Sequence, residues 1–378
     1  MTRFLTNLAV LLVTLVVAFG IGESVVRLLF KDSMILFPRY HTDYQYGNYV
    51  IRGTRPNSAF WHTSVDGSWK FVTNSRGFRN AKEFDYERAP GVPRVLTLGD
   101  SHTQGHEVRQ NFTYSAVLER SLAIESGHAE VINTGVSGFS TAEELVLLEN
   151  EGVKYNPDAV VVGFFANDFE DNLKAGLFDL DAENHLVERS FEHIPGVRVQ
   201  NFIYSLPFVR WLGENSYFYS LLFNGVWEFF KNRLASSALA EAATTTAERV
   251  PLAAQSEFAI PTASSYSPYQ IALAATLLER MHEICTQRGI RFIVVDIPVL
   301  GDKPFTYLSS VPPELAHRLA ADDIEYIASD VFLREFAGTA EVHVEHGYRH
   351  ISEFTHTLIG VELGRRLTAS PTVSAAAE

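Results

Sequence analysis

Cysteine and positive charge are both scarce in this sequence. Cys285 is the single cysteine among 378 residues, so no disulfide can form within the chain. That usage is compatible with a cytosolic protein or with an exported bacterial one. The formal net charge is −14, whereas binding to phosphates needs clustered lysine and arginine. These scarcities argue against a disulfide-stapled scaffold and against a nucleic-acid partner.

Motifs for metals and nucleotides are missing as well. The stretch GDSHTQG, from Gly99 to Gly105, is followed by no G-K-[ST], so it is not a phosphate loop. The histidines do not show the H-E-x-x-H spacing of a zinc site. We therefore expect no cofactor and no metal.

One long apolar run stands at the N-terminus. Residues 4–22 carry no charge, and nineteen residues of helix come close to the ~30 Å of a bilayer core. A cleavable signal peptide is the alternative, but the A-x-A pattern is absent and the run is long for that purpose. The basic flanks do not fix the orientation strongly. Export is the simplest reason for the segment, which predicts a single-pass anchor with an extracytoplasmic domain, periplasmic or extracellular.

Strand-like and helix-like segments alternate after residue 91. Apolar runs such as VLTLG and AVVVGFF are typical of buried parallel strands, and the segments between them have helical spacing. This alternation predicts a parallel sheet wrapped by helices. The predicted division is an anchor over 1–31, a connector and hairpin region over 32–90, a domain over 91–370 interrupted at about 173–267, and a tail over 371–378.

Three further segments carry local predictions. Residues 32–57 are interpreted as an extended connector, and a hairpin is expected to turn at Asp66-Gly67. Residues 217–231 predict an amphipathic helix that packs in the core, with a lid or a membrane-touching surface as alternatives. Residues 234–257 are of low complexity and predict a poorly ordered loop.

Small and polar residues follow three of the predicted strands. Ser101, Gly138 and Asn167 lie after successive strands, and ligands bind at the carboxyl ends of parallel strands. A serine nucleophile needs a base and donors for the oxyanion, and backbone N–H groups and an asparagine amide can be such donors. The plain alternatives are that Asn167 caps a helix and that Gly138 turns the chain.

The blocks GDSHTQG, NTGVSG and FFAND, followed by a late histidine, resemble the SGNH (GDSL-type) hydrolase family over residues 94–367. The stretch TNSRGFRN is also similar to membrane-anchored members. The resemblance implies a three-layer α/β/α sandwich with a central parallel sheet. It also implies that Ser101 is the nucleophile and that the N–H groups of Ser101 and Gly138, with the Asn167 amide, form the oxyanion hole. The implied chemistry is ester hydrolysis or acyl transfer through an acyl-serine.

The general base departs from the family pattern. His350 fits the phasing, but Gly347 stands where the family carries an aspartate. Glu345 or a backbone carbonyl could orient the ring instead. The other phasing is the E-x-x-H of Glu353 and His356, which places His356 as the base inside a helix. His350 is favoured, because the loop before the last helix can reach the strand ends, and His102 is expected to line the pocket.

The sequence thus predicts a membrane-anchored serine esterase or O-acyltransferase. Its expected substrate is an acyl ester, with acetyl among the candidates, on a glycan or lipid of the cell envelope. The missing aspartate leaves a second function open, a binding or assembly protein that keeps the fold but turns over slowly or not at all. A lipid-facing lipase is a third, suggested by the aromatic residues at 217–231.

Overall fold

The computed structural model describes residues 2–193, 197–226, 266–346 and 350–369. The predicted loop at 234–257, the tail at 371–378 and Gly347 lie outside these residues.

The chain begins with a long helix followed by two antiparallel hairpins. Helix α1 is the described helix that is long and apolar enough to cross a membrane, and its apolar window is not buried by the protein. The strands of the two hairpins pair within each hairpin, β1 with β2 and β3 with β4. The bounds are α1 Thr2–Phe30, β1 His41–Tyr46, β2 Tyr49–Thr54, β3 Ala59–Thr63 and β4 Ser68–Val72.

The first hairpin corrects the prediction for residues 32–57, which are not an extended connector. Strands β1 and β2 turn tightly at Gly47, whose φ is +59°. Tyr46, Tyr49 and Ile51 are buried in the main hydrophobic core. Burial of these apolar side chains stabilises a hairpin in a segment whose tyrosines and arginines suggested only an extended path. The second hairpin forms around Asp66-Gly67 as predicted.

Five parallel strands form the central sheet. Their order is β14-β11-β7-β5-β6. Alternate residues of one strand face opposite sides of the sheet, so Leu96 and Leu98 pack in one core and Val95 in the other. The bounds are β5 Arg94–Gly99, β6 Glu130–Asn133, β7 Ala159–Phe164, β11 Arg291–Asp296 and β14 Glu325–Ile327. Short strands outside this sheet are β8 Phe178–Leu180, β9 Leu186–Glu188, β10 Glu192–His193, β12 Val299–Leu300 and β13 Tyr307–Leu308.

Helices cover both faces of the sheet, which confirms the three-layer α/β/α architecture. Helices α3 and α11 pack together on one face, and α4, α5, α8 and α9 lie on the other. The bounds are α2 Ser101–Gln104, α3 Tyr114–Ser126, α4 Thr141–Asn150, α5 Asp168–Ala175, α6 Val197–Ser205, α7 Val209–Asn215, α8 Pro268–Thr286, α9 Pro313–Ala321, α10 Asp330–Leu333 and α11 Glu353–Thr368. Residues 217–226 are also helical.

Helix starts coincide with the capping residues that the sequence offers. Ser140 and Glu143 form a capping box at the start of α4. Ser267 and Gln270 form another at α8, where Pro268 occupies the first helical position. These local signals fix where the helices begin after the strand ends, and thereby where the loops of the site lie.

Candidate active site

Ser101 stands at the sharp turn between β5 and α2. Gly99 ends the strand with a φ of +151°, and a Cβ there would come 1.9 Å from Thr103 Oγ1, so only glycine fits. Asp100 caps the helix, because its Oδ1 accepts the His102 N–H at 2.8 Å. Ser101 is therefore the first residue of α2, and its N–H has no acceptor within the helix.

His350 contacts the Ser101 hydroxyl directly. The distance from His350 Nε2 to Ser101 Oγ is 2.8 Å, and the histidine is 5% exposed. Its carbonyl accepts the Val344 N–H at 2.8 Å, which holds the loop just before α11. The predicted nucleophile and the predicted base are thus brought together across 249 residues of sequence.

The carboxylate beside His350 is Glu107, a residue that the sequence patterns did not single out. Glu107 Oε2 lies 3.5 Å from His350 Nδ1, and the Glu107 side chain is fully buried. The residue has a φ of +61°, in the left-handed region. It is the single carboxylate between Asp100 and Glu119 in the sequence, which is the signal that could have pointed to it.

The carboxylates expected near His350 lie elsewhere. Glu353 forms an ion pair with Arg109, whose Nε is 2.8 Å from Glu353 Oε1. Glu345 is exposed. The carboxylate that contacts His350 is therefore neither Glu345 nor Glu353. It comes from the loop after Ser101, which folds back over the histidine.

His356 has a structural contact in place of a catalytic one. Its Nδ1 accepts the Tyr114 backbone N–H at 3.1 Å, and its ring stacks on the Tyr114 ring. This bond satisfies an N–H at the start of α3 that has no partner within that helix. The E-x-x-H phasing with Glu353 is thus not the arrangement found at Ser101.

Arg79 holds the loop that carries Glu107. Its guanidinium is 3% exposed and donates to the carbonyls of Gln104, at 2.8 Å, and Val108, at 2.6 Å, as well as to that of Gly105. Burial lowers the pKa of Arg79 to about 9. The motif TNSRGFRN thereby places a fixed cation-bearing side chain beneath the turn at Glu107.

Several buried histidines surround His350, and we call this set the imidazole flank. His102 accepts the Ile351 N–H and packs against the Phe165 ring at a tilt of 46°. His106 packs against both His350 and His62. Burial lowers the pKa of each ring in the set, to about 4 for His343 and about 3 for His356. The set comprises His62, His102, His106, His343 and His356. These rings are neutral at physiological pH.

The glycine loop after β6 passes close to the strand that delivers Ser101. The Val136 N–H donates to the Gly99 carbonyl at 3.0 Å. Gly138 has a φ of +80°, and a Cβ there would lie 2.5 Å from the Arg52 guanidinium. Arg52, from β2, donates to the Gly138 carbonyl. Among the described residues, no acceptor is found for the Gly138 N–H.

The Asn167 amide points toward carboxylates. Its Nδ2 is 3.1 Å from Asp171 Oδ2 and 3.4 Å from Asp100 Oδ2. Asn167 stands immediately before α5 and is linked through Asp100 to the turn that carries Ser101. The Asn167 amide is thus next to the turn that carries Ser101, and its nitrogen donates to two acids.

Buried acids lie behind Asn167, and we call them the carboxyl flank. Burial raises the pKa of Asp100 to about 6 and that of Glu143 to about 7. Burial also raises the pKa of Glu144 and of Asp168 well above the ordinary range, with a further rise from neighbouring acids. The flank comprises Asp100, Glu143, Glu144 and Asp168.

Within the described residues, groups that could ligate a metal come together at one place, Asp181, Glu183 and His185. These side chains are exposed on the turn between β8 and β9. Asp181 Oδ1 already accepts the N–H groups of Glu183 and His185. The turn holds none of the residues at Ser101.

A family model for the GDSL-like lipase/acylhydrolase family matches residues 97–324. The chain belongs to this family. No curated protein sequence matches the chain. Family membership establishes an ester-hydrolysing class for the domain that holds Ser101.

Solved structures similar to this chain include a lipase/acylhydrolase, a G-D-S-L family lipolytic protein and an esterase. A lipase/acylhydrolase from Enterococcus faecalis is 17% identical, with 73% of this chain and 95% of that one covered and a TM-score of 0.38. A member of the lipolytic protein G-D-S-L family from Veillonella parvula DSM 2008 is 12% identical, with coverage of 73% and 98% and a TM-score of 0.38. A two-domain esterase active on acetylated mannans is 9% identical, with coverage of 73% and 49% and a TM-score of 0.37.

Proposed function

We propose that this GDSL-family protein is a membrane-anchored, extracytoplasmic serine esterase or O-acyltransferase. Ser101 is its nucleophile, His350 its general base, and Glu107 the acid that orients the base. The observation that carries the proposal is the 2.8 Å contact between Ser101 Oγ and His350 Nε2. A hydroxyl so placed can lose its proton to the imidazole as it attacks.

The first half of the reaction forms an acyl-enzyme. His350 Nε2 takes the proton of Ser101 as the oxygen adds to the ester carbonyl. The oxyanion that develops is stabilised by the N–H groups of Ser101 and Gly138 and by the Asn167 amide, once that amide turns from Asp171 toward the substrate. The proton then passes from His350 to the leaving alcohol, and the acyl group stays on Ser101.

The second half releases the acyl group. His350 takes a proton from water, in hydrolysis, or from an acceptor hydroxyl, in transfer. The oxygen adds to the acyl carbonyl, and the proton returns to Ser101 Oγ as the C–O bond to serine breaks. Ser101 and His350 are then restored with atoms balanced in either case.

Glu107 stabilises the charged form of the base. Each transfer makes His350 an imidazolium, and the Glu107 carboxylate lies 3.5 Å from its Nδ1. The other imidazoles around the base are held neutral by burial, so they supply no opposing positive charge. Glu107 therefore takes the role that Gly347 cannot supply.

The substrate follows from the anchor and from the reaction class. Residues 4–22 cross the membrane in this proposal, so the ester belongs to the cell envelope, as an acyl or acetyl ester of a glycan or lipid.

The testing experiment combines covalent labelling with turnover. A fluorophosphonate probe is expected to label the wild-type protein at Ser101, and Ser101→Ala is expected to lose both the label and hydrolysis of p-nitrophenyl acetate. Ser126→Ala changes an exposed serine of α3 and serves as the control that retains both. A folded wild-type protein that neither reacts nor turns over would instead favour a binding or assembly role.

A further inference from the structure

Exposed apolar side chains are concentrated in one part of the soluble region, residues 197–226, which we call the apolar helical segment. It comprises α6, α7 and the helical residues 217–226. Phe202 is 65% exposed, Phe208 79% and Trp211 61%. Further exposed members of the segment are Val199, Leu206, Leu221, Leu222 and Val226. A concentration of this kind marks an interaction surface.

The remaining exposed apolar side chains after α1 are spread widely along the chain. They include Ile124, Val331 and Val361, each from a different helix, and Phe305 in a turn. Isolated side chains of this sort are ordinary on a soluble protein. The apolar helical segment therefore has a higher density of exposed apolar side chains than the rest of the domain surface.

The apolar helical segment is attached to the end of the uncharged run of α1. Glu23, the residue after Gly22, accepts the Ser216 hydroxyl at 2.8 Å and the Phe218 N–H at 3.0 Å. Arg27 donates to the Asn215 carbonyl at 3.2 Å. Phe19 and Phe218 contact edge to face, with centroids 5.4 Å apart. These contacts place the segment at the level where α1 leaves the apolar part of a bilayer.

We infer that the apolar helical segment lies in the interfacial layer of the bilayer that α1 crosses. The inference rests on the membrane anchoring in the proposed function. The molecule that covers this surface is lipid, because the surface is continuous with α1 at Glu23 and Arg27. The apolar window of α1 is itself not buried by the protein. Helices that lie in this layer bury their apolar face about 5–10 Å into the boundary of headgroups and acyl chains, and Trp is enriched there.

This placement holds the site near the membrane surface. Gly213 of α7 packs against Pro38 so closely that a Cβ added at Gly213 would lie 2.9 Å from Pro38 Cα. The neighbouring Phe37 contacts the His106 ring, and His106 contacts His350. Two layers of side chains thus separate the segment from the base. The ester that reaches Ser101 is one presented at the membrane surface, which narrows the substrate to membrane-borne molecules.

The experiment uses the full chain with environment-sensitive dyes on single introduced cysteines. Burial raises the pKa of the Cys285 thiol to about 12, so the native cysteine does not react and stays in place. The labelled variants are Phe202→Cys in the apolar helical segment, Leu12→Cys in α1 and Ile124→Cys, an apolar residue of α3 that is 84% exposed. Each is reconstituted in vesicles of phosphatidylcholine and phosphatidylglycerol, with hydrolysis of p-nitrophenyl acetate as the check of folding.

The dye at position 202 is expected to show blue-shifted emission in vesicles. A nitroxide near the headgroups is expected to quench that emission. Position 12 is expected to respond to a nitroxide deep in the acyl chains, and position 124 to neither. A response at 12 without one at 202 overturns the inference and leaves the anchor standing. No response at 12 overturns the anchor in the proposed function. A blue shift at 202 that no lipid nitroxide quenches shows a protein contact instead, and also overturns the inference.

Discussion

The two sides of Ser101 are built from opposite kinds of titratable groups. The imidazole flank surrounds the base, and burial keeps its rings unprotonated. The carboxyl flank lies behind Asn167, and burial keeps its acids protonated to higher pH than usual. Each side avoids buried charge in its own way. Glu107 is the exception, since it is a fully buried carboxylate set among imidazoles with an ion-pair distance to the base.

This contrast teaches which groups are arranged for charge. Because the surrounding imidazoles are neutral, they do not weaken the interaction between the Glu107 carboxylate and an imidazolium at His350. The loop of Glu107 is fixed by Arg79, whose donors occupy the carbonyls on both sides of it. On the other side, Asp100 of the carboxyl flank and Asp171 of α5 accept from the Asn167 amide and hold it. One side is built to hold a charge and the other to hold an amide.

The largest expected effect distinguishes His350 from His356 as the general base. His350→Ala is expected to lower kcat for p-nitrophenyl acetate by about 10⁴- to 10⁶-fold, because base and nucleophile act as a unit. His356→Gln is the control, since glutamine keeps an acceptor for the Tyr114 N–H and the ring contacts no reacting atom. An inactive His356→Gln with an active His350→Ala would return the base to the E-x-x-H phasing.

Glu107→Gln tests the role of the buried carboxylate beside His350. The loss of a carboxylate beside the imidazolium is expected to lower kcat by about 10²- to 10⁴-fold with little change in KM. Glu353→Gln removes a carboxylate that pairs with Arg109 and is expected to keep wild-type kcat. Thermal unfolding is measured alongside, and a Glu107 variant that loses stability without losing kcat would make the residue structural.

Asn167→Ala tests the carboxyl side. Loss of an oxyanion donor typically costs ~10²–10³ in kcat, or about 3–4 kcal/mol, and that is the expected result. Asp171→Asn removes a carboxylate that accepts from the amide and is expected to keep kcat. A change in KM alone would assign Asn167 to substrate binding, and no change in either constant would leave it with a capping role.

The smallest expected effect is a pH dependence of the free energy of unfolding. Its sign is opposite for the imidazole flank and the carboxyl flank. The folded His343 and His356 have pKa values of about 4 and 3, so below the unfolded value of about 6.5 the unfolded chain binds more protons and stability falls with falling pH. The folded Asp100 and Glu143 have values of about 6 and 7, so they lower stability as pH rises from about 4.

Urea unfolding from about pH 4 to about pH 8 measures the two slopes. His356→Gln is expected to flatten the loss of free energy of unfolding on the acid side. Glu143→Gln is expected to flatten the decline on the alkaline side. Parallel shifts of the whole curve in both variants would contradict the contrast between the flanks.

The sequence carries much of this site because the reacting groups sit where local patterns end. Apolar runs that end at Gly99 and Phe165 predicted two of the strands, and Ser101 and Asn167 each stand two residues after the end of a run. The sequence shows Glu107 as the single carboxylate close after Ser101, but its contact with His350 could not be predicted from a local pattern. Its position depends on a left-handed backbone and on donors from Arg79, both of which are long-range consequences of folding. The short edge strand β14 was missed similarly, since three residues carry no periodic pattern.

The number of residues between contacting side chains determines the order in which the contacts of the site can form during synthesis. Arg79 reaches the carbonyls of Gln104 and Val108 across 25 and 29 residues, whereas Ser101 and His350 are 249 residues apart. Chains fold as they emerge, N-terminal portion first. The turn that holds the serine can therefore mature early in synthesis. The Ser101 hydroxyl meets His350 only when nearly the whole polypeptide exists. In the proposed mechanism, a nascent or truncated chain therefore carries a formed serine turn without its general base, and esterase activity requires the complete domain.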